Sequence, residues 1–232
     1  MFKQRSYKKE LLDGDSIPDD DLFQNLSELN TINTLLGGYK ITFAALKKVL
    51  DKNKSFTIVD IGSGGGDTLK QINNWNKKYH YNLNLVGIDL KQTCIEYAQT
   101  NNPATTIKFI CDDYKKCYAH IPKTDILHAS LFCHHLTDKE IIELIQFAQK
   151  SRSTLIINDL ERNRFAYYAI KFLTKLFSKS YLVKHDAPLS VARGFKKKEW
   201  LELIKQSGAT NYSVKYKWAF RHEVIIYADG TL

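Results

Sequence analysis

Residues 56–69 read FTIVDIGSGGGDTL, a run of apolar and β-branched residues that leads into a cluster of four glycines and then into a polar segment. The run at 56–61 predicts a buried β-strand, and the segment at 67–79 has the periodicity of a helix. Glycine lets a chain turn tightly between a strand and a helix while a ligand approaches the backbone. Because one or two glycines suffice for a plain turn, this stretch predicts a ligand-binding loop between a strand and a helix.

Short apolar runs alternate with helical segments over most of the chain. Such interleaving predicts a parallel sheet covered on both faces and built from right-handed βαβ units. Two runs near the C terminus, 212–220 and 222–228, predict an antiparallel pair. The expected fold is therefore α/β, a doubly wound, Rossmann-like, mostly parallel seven-stranded sheet with helices on both faces. The remaining strands are predicted at 83–90, 106–113, 124–131 and 153–159, and helices at 92–101, 137–150 and 197–207.

The length of 232 residues predicts a single domain. Helical periodicity between 20 and 50 predicts a helical N-terminal lead-in over 1–52. Residues 160–195, after the fifth strand, predict a helical cap insertion that covers an acceptor. Its helix has a broad apolar arc and a basic side opposite to it. This pattern is compatible with three roles for the helix, which are packing in the core, covering a hydrophobic acceptor as a lid, and peripheral contact with a membrane. The end of the insertion, 184–195, is expected to be a loop in which Pro188 stiffens the turn.

The composition is that of an ordinary globular protein, with 44% hydrophobic and 25% charged residues. No apolar run approaches the length of a membrane span and no secretion signal is evident, so we expect a cytoplasmic protein. The net charge of +9 taken alone would suggest a nucleic-acid or anionic-membrane partner. The excess is mostly lysine spread along the chain, which is typical of a solvated surface, and nucleic acid is not the expected partner.

The phasing of the glycines distinguishes between two kinds of cofactor. The dinucleotide pattern G-x-G-x-x-G/A needs a small residue where this chain has Asp67. From Asp60 the sequence instead reads acidic-x-G-x-G-x-G, and in this motif it resembles the class I S-adenosylmethionine-dependent methyltransferases. The resemblance implies that Asp60 acts on the methionine ammonium of the cofactor and that the loop admits its methionine and ribose. A carboxylate suits a cofactor that carries a sulfonium and an ammonium. The loop residues implied are Gly62, Ser63, Gly64 and Gly66.

Acidic residues also end the next two strands. The resemblance implies that Asp89 accepts hydrogen bonds from both ribose hydroxyls. It implies that Asp112 recognises the adenine amine, with Asp113 beside it. Leu90 and Ser130, at the ends of the second and fourth strands, complete the cofactor-binding residues that we predict. A NAD-dependent dehydrogenase remains as an alternative.

Two histidines lie just past the fourth strand, at the edge where doubly wound folds place their sites. We predict that His134 or His135 acts as a general base toward an acceptor hydroxyl. The alternative is that one caps the next helix and the other packs inside. His185, which Asp186 could orient, is a third candidate. Cys133 precedes the pair, but adjacent residues rarely all point at one ion, so no metal site is predicted.

The N-terminal segment and residues 160–195 resemble bacterial methyltransferases that accompany type III polyketide synthases and related aromatic pathways of secondary metabolism. The resemblance implies methyl transfer from S-adenosylmethionine, with S-adenosylhomocysteine as the product, to a hydroxyl or an activated ring carbon of a small hydrophobic aromatic metabolite. An Asn/Asp-Pro-Pro-Tyr/Phe segment is absent, which counts against N-methylation of nucleic acids. The alternatives are a nucleic-acid methyltransferase and a non-catalytic module that binds S-adenosylmethionine.

Overall fold

The computed structural model of the protein describes residues 2–14, 16–103, 106–121 and 123–228. Over these residues, seven strands form one sheet. They are β1 (Ser55–Ile61), β2 (Asn82–Asp89), β3 (Lys108–Cys111), β4 (Ile126–Ser130), β5 (Thr154–Leu160), β6 (Tyr212–Lys217) and β7 (Arg221–Ile226). Their order is β3-β2-β1-β4-β5-β7-β6, in which β1 to β5 run parallel and β7 runs antiparallel to both of its neighbours. The predicted doubly wound, mostly parallel sheet is therefore confirmed.

Helices cover both faces of this sheet. They are α1 (Asp19–Leu35), α2 (Gly38–Val49), α3 (Asp67–Tyr79), α4 (Gln92–Thr100), α5 (Cys117–His120), α6 (Asp138–Lys150), α7 (Arg164–Phe177), α8 (Tyr181–Arg193) and α9 (Lys197–Ser207). Ile58 of β1 packs in a cluster with Leu69 of α3. Its neighbour Val59 packs in another cluster with Leu144 of α6 and Trp200 of α9. One apolar strand thus fills two cores, because successive side chains point to opposite faces.

The start of α6 is fixed by a capping box directly after the turn that carries the two predicted histidines. The amide of Glu140 donates to the Thr137 hydroxyl at 3.3 Å, and the amide of Thr137 donates to the Glu140 carboxylate at 2.7 Å. These reciprocal bonds satisfy two amides that the helix itself leaves unpaired. The cap holds the residues between β4 and α6 at the carboxyl edge of the sheet.

The N-terminal and insertion helices gather over that same edge. Helix α1 packs against α2 and α8, and α7 packs against α8. The short helical turn Leu11–Asp13 also lies against α8. In the ranges that the structure describes, no helix combines the length and the hydrophobicity that a membrane crossing requires.

The loop predicted at 184–195 is wrong, because most of this segment belongs to α8, with Pro188 inside the helix. Proline cannot donate the backbone hydrogen bond of a helix interior and crowds the preceding turn. Here tertiary packing outweighs that cost. Leu182, Val183 and Val191 of α8 are buried, and the Ser180 hydroxyl caps its first turn.

The C-terminal strand pair is shorter than the sequence indicated. The strand predicted at 212–220 ends at Lys217, and the strand predicted at 222–228 runs from Arg221 to Ile226. The tight turn between them contains Ala219 and Phe220, whose φ values are 57° and 54°. A left-handed backbone cannot continue a strand. The turn places Trp218 beside the helices of the insertion, at the edge where the site lies.

Candidate functional site

Two adjoining cavities open at the carboxyl edge of the parallel strands. The first, which we call the glycine-loop cavity, has a volume of about 550 Å³ and lies between the loop after β1 and the ends of β2, β3 and β4. It contains all but one of the predicted cofactor-binding residues. Gly66 is the exception, since it is the N-cap residue of α3 and a Cβ there would collide with the ring of Phe109. The predicted residues that line this cavity are Asp60, Gly62, Ser63, Gly64, Asp89, Leu90, Asp112, Asp113 and Ser130.

The glycines of the loop serve different purposes. A side chain at Gly62, where φ is 64°, would collide with the ring of Phe132, so packing alone requires that glycine. Gly64 also has a positive φ, but a Cβ there would meet only Leu26, at 3.6 Å. The space beside Gly64 therefore remains free for a ligand. The buried hydroxyl of Ser63 finds no hydrogen-bond partner among the described residues, so this lining also fits a polar ligand.

Asp60 is held by a series of buried side chains that are hydrogen-bonded to one another. Its carboxylate lies 2.6 Å from Nδ1 of His128 on β4, and Nε2 of that ring lies 3.1 Å from the Thr42 hydroxyl of α2. Each member of the series is nearly inaccessible to solvent. The arrangement fixes the Asp60 carboxylate at the end of β1, where it borders the cavity.

Asp89 holds the glycine loop in place while keeping capacity for a ligand. Its two oxygens accept hydrogen bonds from the amides of Gly64 at 2.8 Å and Lys91 at 3.0 Å. Burial raises the pKa of this carboxyl above its usual range. A carboxylate has about four acceptor positions, so two remain for the vicinal hydroxyls of a ribose. The position fits the role that the sequence resemblance implies.

The Asp112 carboxylate already accepts hydrogen bonds from within the protein, which the sequence did not indicate. Its carboxylate accepts hydrogen bonds from Nε2 of His120 at 2.8 Å and from Nζ of Lys116 at 2.9 Å. The amide of Asp113 donates to the same carboxylate at 2.7 Å. These bonds hold the pKa of Asp112 well below its usual range, with that from His120 contributing most.

The second cavity, which we call the apolar cavity, also has a volume of about 550 Å³ and adjoins the first. Its walls come from α1, α7, α8 and the turn between β6 and β7, so the insertion at 160–195 borders this cavity. The two cavities share four residues of their walls. Its main apolar wall residues are Leu29, Ile32, Leu36, Phe165, Ala169, Ile170, Leu173, Val183, Val191, Trp218 and Phe220.

The polar end of the apolar cavity holds two histidines and a glutamate. His135 borders both cavities, whereas His134 and Glu10 border only the apolar one. Nε2 of His134 lies 3.7 Å from one oxygen of Glu10, and Nε2 of His135 lies 3.9 Å from the other. Burial raises the pKa of Glu10 to about 7. Imidazoles and carboxyl groups are the side chains that most often serve as general acids and bases.

Each imidazole is oriented by its own carboxylate. Nδ1 of His134 lies 2.8 Å from Asp159, and Nδ1 of His135 lies 2.9 Å from Asp13. An ionised carboxylate only accepts hydrogen bonds, so Nδ1 carries a proton in each ring, and in the neutral form of the ring Nε2 is the proton acceptor. Burial acts to raise the pKa of Asp13, but its hydrogen bond and ion pair with His135 outweigh burial and lower the pKa to about 2.

The third predicted histidine lies outside both cavities. The ring of His185 is half exposed, with Nδ1 2.7 Å from Asp186. Asp186 also accepts hydrogen bonds from the amides of Leu11 at 2.8 Å and Leu12 at 2.9 Å. It therefore holds the N-terminal turn that carries Glu10.

The N-terminal contribution to the site was missed by the sequence analysis. Arg193 ties that segment to the histidines, because its guanidinium donates to the carbonyls of Lys8, His134 and His135 at 2.6 to 3.0 Å. The only signal was the pair of acidic residues in ELLD at 10–13. Cys133 packs in the main core, so the two histidines approach Glu10 without it.

Comparison with known proteins supports the resemblance read from the sequence. The model of a family described as a methyltransferase domain matches residues 58–151, which confirms the predicted methyltransferase domain there. None of the curated proteins matches the chain.

Solved structures of similar fold include several methyltransferases. The plantazolicin methyltransferase BpumL, in complex with S-adenosylhomocysteine, is 18% identical with a TM-score of 0.63, covering 90% of this chain and 95% of its own. Human N-acetylserotonin methyltransferase is 14% identical with a TM-score of 0.62, covering 91% of this chain and 56% of its own. The CMeT domain of the citrinin polyketide synthase is 10% identical with a TM-score of 0.55, covering 79% of this chain and 49% of its own. These likenesses confirm the predicted fold class.

Proposed function

We propose that this class I S-adenosylmethionine-dependent methyltransferase methylates a hydroxyl, or an activated ring carbon, of a small hydrophobic aromatic metabolite. The observation that carries the proposal is the junction of the two cavities at His135. One cavity is lined by carboxylates and the glycine loop, which suit the cofactor, and the other has apolar walls that suit an aromatic ring. A hydroxyl held at the junction would face both His135 and the methyl donor.

The residues at the junction suit the removal of a proton from the acceptor. S-adenosylmethionine supplies a methyl group on a sulfonium, a good leaving group for an in-line displacement. The imidazole of His135 accepts the hydroxyl proton at Nε2, since Nδ1 is already bonded to Asp13. The ionised Asp13 carboxylate stabilises the resulting imidazolium, and the Glu10 carboxyl lies 3.9 Å from Nε2 of the same ring. His134, held by Asp159, is the second candidate for this role.

The similar structures support a small acceptor without naming it. One of them is a methyltransferase named for N-acetylserotonin, and another is a CMeT domain of a polyketide synthase. They are compatible with methylation at oxygen and at carbon, the two alternatives left open by the sequence.

The apolar cavity opens beside an exposed part of α7. Phe172 and Phe177 of this helix are 62% and 77% exposed, and Lys171 and Lys175 flank them. Aromatic residues bordered by lysine suit the surface of an anionic membrane. We include in the proposal that the protein contacts such a surface, where a hydrophobic acceptor would be concentrated.

The proposal is tested by transfer of a labelled methyl group. Purified protein is incubated with S-adenosylmethionine that carries a deuterated methyl group and with metabolite extracts from cells lacking the protein. We expect mass spectrometry to show a labelled aromatic product that is absent with the Gly64→Val variant. That variant fills the space beside Gly64 and should lose affinity for S-adenosylhomocysteine in calorimetry. A labelled nucleic acid, or no labelled product that depends on Gly64, would contradict the proposal.

A further inference from the structure

Arg221 is a buried cation at the wall of the apolar cavity. It is the first residue of β7, is 2% exposed, and borders the apolar cavity and not the glycine-loop cavity. Its Nε and Nη1 atoms have no hydrogen-bond partner in the described part of the chain. Burial lowers the pKa of the guanidinium to about 10, so it remains charged at neutral pH.

The acidic groups around Arg221 are committed elsewhere. The Asp159 carboxylate, which interacts electrostatically with Arg221, accepts hydrogen bonds from the amide and Nδ1 of His134 and from the amide of Leu160. Glu223, two residues along β7, pairs with Lys48 and Lys217. Removing a charge from water without a bonded counter-ion is unfavourable, and natural proteins seldom leave a buried guanidinium in that state.

The fold leaves room for the guanidinium at the junction of α1 and α2. A Cβ at Gly38 would collide with Oδ1 of Asn33 and would lie 2.8 Å from Nη1 of Arg221, so the glycine makes space for both side chains. The β5–β7 pairing sets Arg221 opposite Leu160, another residue of the cavity wall. The position of the cation is thus fixed by the sheet, by α2 and by the cavity that it borders.

We propose that Arg221 binds a carboxylate carried by the acceptor, so that the preferred acceptor is an aromatic acid. The planar guanidinium offers paired donors that match the two oxygens of a carboxylate. The apolar walls would hold the aromatic body, with the acid at Arg221 and the nucleophilic atom toward His135. The inference rests on the proposed function, because it takes the apolar cavity as the acceptor site. The methionine end of the cofactor also carries a carboxylate, but Arg221 lies outside the glycine-loop cavity.

Binding of acid and amide pairs tests the inference without requiring turnover. The probes are benzoate against benzamide and 4-hydroxycinnamate against its primary amide, titrated calorimetrically into protein saturated with S-adenosylhomocysteine. We expect the wild-type protein to bind at least one acid tenfold or more tightly than its amide. Arg221→Met should abolish that preference, and Arg221→Lys should keep part of it. Arg152→Met, at an exposed position, removes the same charge and should leave the preference unchanged.

Several results would overturn the inference. They are equal binding of acid and amide, no binding of any acid, or a preference that persists in Arg221→Met. Weaker binding of S-adenosylhomocysteine by Arg221→Met, with the acid preference retained, would assign the cation to the cofactor. Thermal unfolding checks that Arg221→Met is folded. If that variant does not fold, the acid preference of Arg221→Lys is compared with that of the wild-type protein instead. Methyl transfer to the amides as fast as to the acids would refute this inference and leave the proposed function intact. Acid binding that depends on Arg221, with no methyl transfer to any aromatic acceptor, would refute only the proposed function.

Discussion

Asp89 has two contacts of interest, since its side chain accepts a hydrogen bond from the amide of Gly64 and also borders the glycine-loop cavity. We expect Asp89→Ala to weaken binding of S-adenosylhomocysteine by tenfold or more, because a hydrogen bond to a charged group contributes about 1.5–3 kcal/mol. Calorimetric titration measures the effect. Asp112→Ala should weaken binding less, because its carboxylate is already engaged by Lys116 and His120. An unchanged affinity in a folded Asp89→Ala protein would remove this residue from the site.

Glu10 should make the stability of the protein depend on pH. Burial raises its pKa from 4.5 to about 7, so between these values the folded protein binds more protons than the unfolded chain. The free energy of unfolding therefore falls as pH rises through this range. Glu10→Gln cannot ionise, so relative to wild type it should gain up to about 3 kcal/mol between pH 4.5 and pH 8. Urea unfolding across this range measures the gain.

An exposed glutamate provides the control for this measurement. Glu202→Gln, on the outer face of α9, should show little change relative to wild type over the same pH range. If Glu10→Gln behaves like Glu202→Gln, Glu10 is not held protonated by burial.

His135 should matter most for turnover when the acceptor is a phenol. Loss of a general base lowers the rate by about 10²–10⁴-fold, and we expect His135→Ala to do so at neutral pH with little change in cofactor affinity. The loss of rate should be smaller at pH values above the pKa of the phenol, because the acceptor is then already ionised when it binds. Steady-state rates at pH 7 and at alkaline pH measure this. His185→Ala is the comparison, because that ring borders neither cavity. Full activity of His135→Ala at pH 7 would exclude it as the base.

Helix α7 carries residues in two environments, because Ile170 borders the apolar cavity while Phe172 and Phe177 are exposed to solvent. We expect the wild-type protein to sediment with phosphatidylcholine vesicles that contain phosphatidylglycerol, and less with vesicles that lack it. Phe172→Glu combined with Phe177→Glu should reduce sedimentation strongly and leave transfer to a soluble acceptor intact.

The control for the vesicle experiment lies on another face of the molecule. Leu201→Glu introduces a negative charge on α9, at a residue that is 37% exposed. Tyr212→Glu adds a second negative charge at a residue that is 41% exposed, so this control pair carries as many new charges as the α7 pair. This pair should sediment as wild type does. Equal sedimentation of the α7 pair and wild type would show that α7 is not the contact.

Helix α8 shows where local sequence signals fail. Pro188 and the polar run before it favour a loop, yet the buried side chains on either side keep the segment helical. The positive φ of Ala219 is likewise set by the need to close a turn between two paired strands. Neither outcome follows from propensity, because both depend on contacts with distant parts of the chain.

At the scale of the whole molecule, the sequence predicted the lining of the glycine-loop cavity far better than that of the apolar cavity. The glycine loop and the acidic strand ends are local signals, and the parallel sheet brings their carboxyl ends to one edge. Glu10 and His134 lie far apart in the sequence and meet because distant residues, Asp186 and Arg193 among them, hold the N-terminal turn over the cavity. Arg221 opens an apolar strand, and only the fold shows that it borders a cavity.

The shared wall of the two cavities has a consequence for kinetics. Leu12, Leu29, Leu131 and His135 border both spaces, so a donor bound in the first supplies part of the enclosure of the second. We expect compulsory order, with the donor entering first and its demethylated form leaving last. S-adenosylhomocysteine should then inhibit competitively against the donor and noncompetitively against the acceptor in initial-rate measurements. An unreactive acceptor analogue should inhibit uncompetitively against the donor. Noncompetitive inhibition by the analogue would indicate random order and would mean that each pocket closes without help from its neighbour.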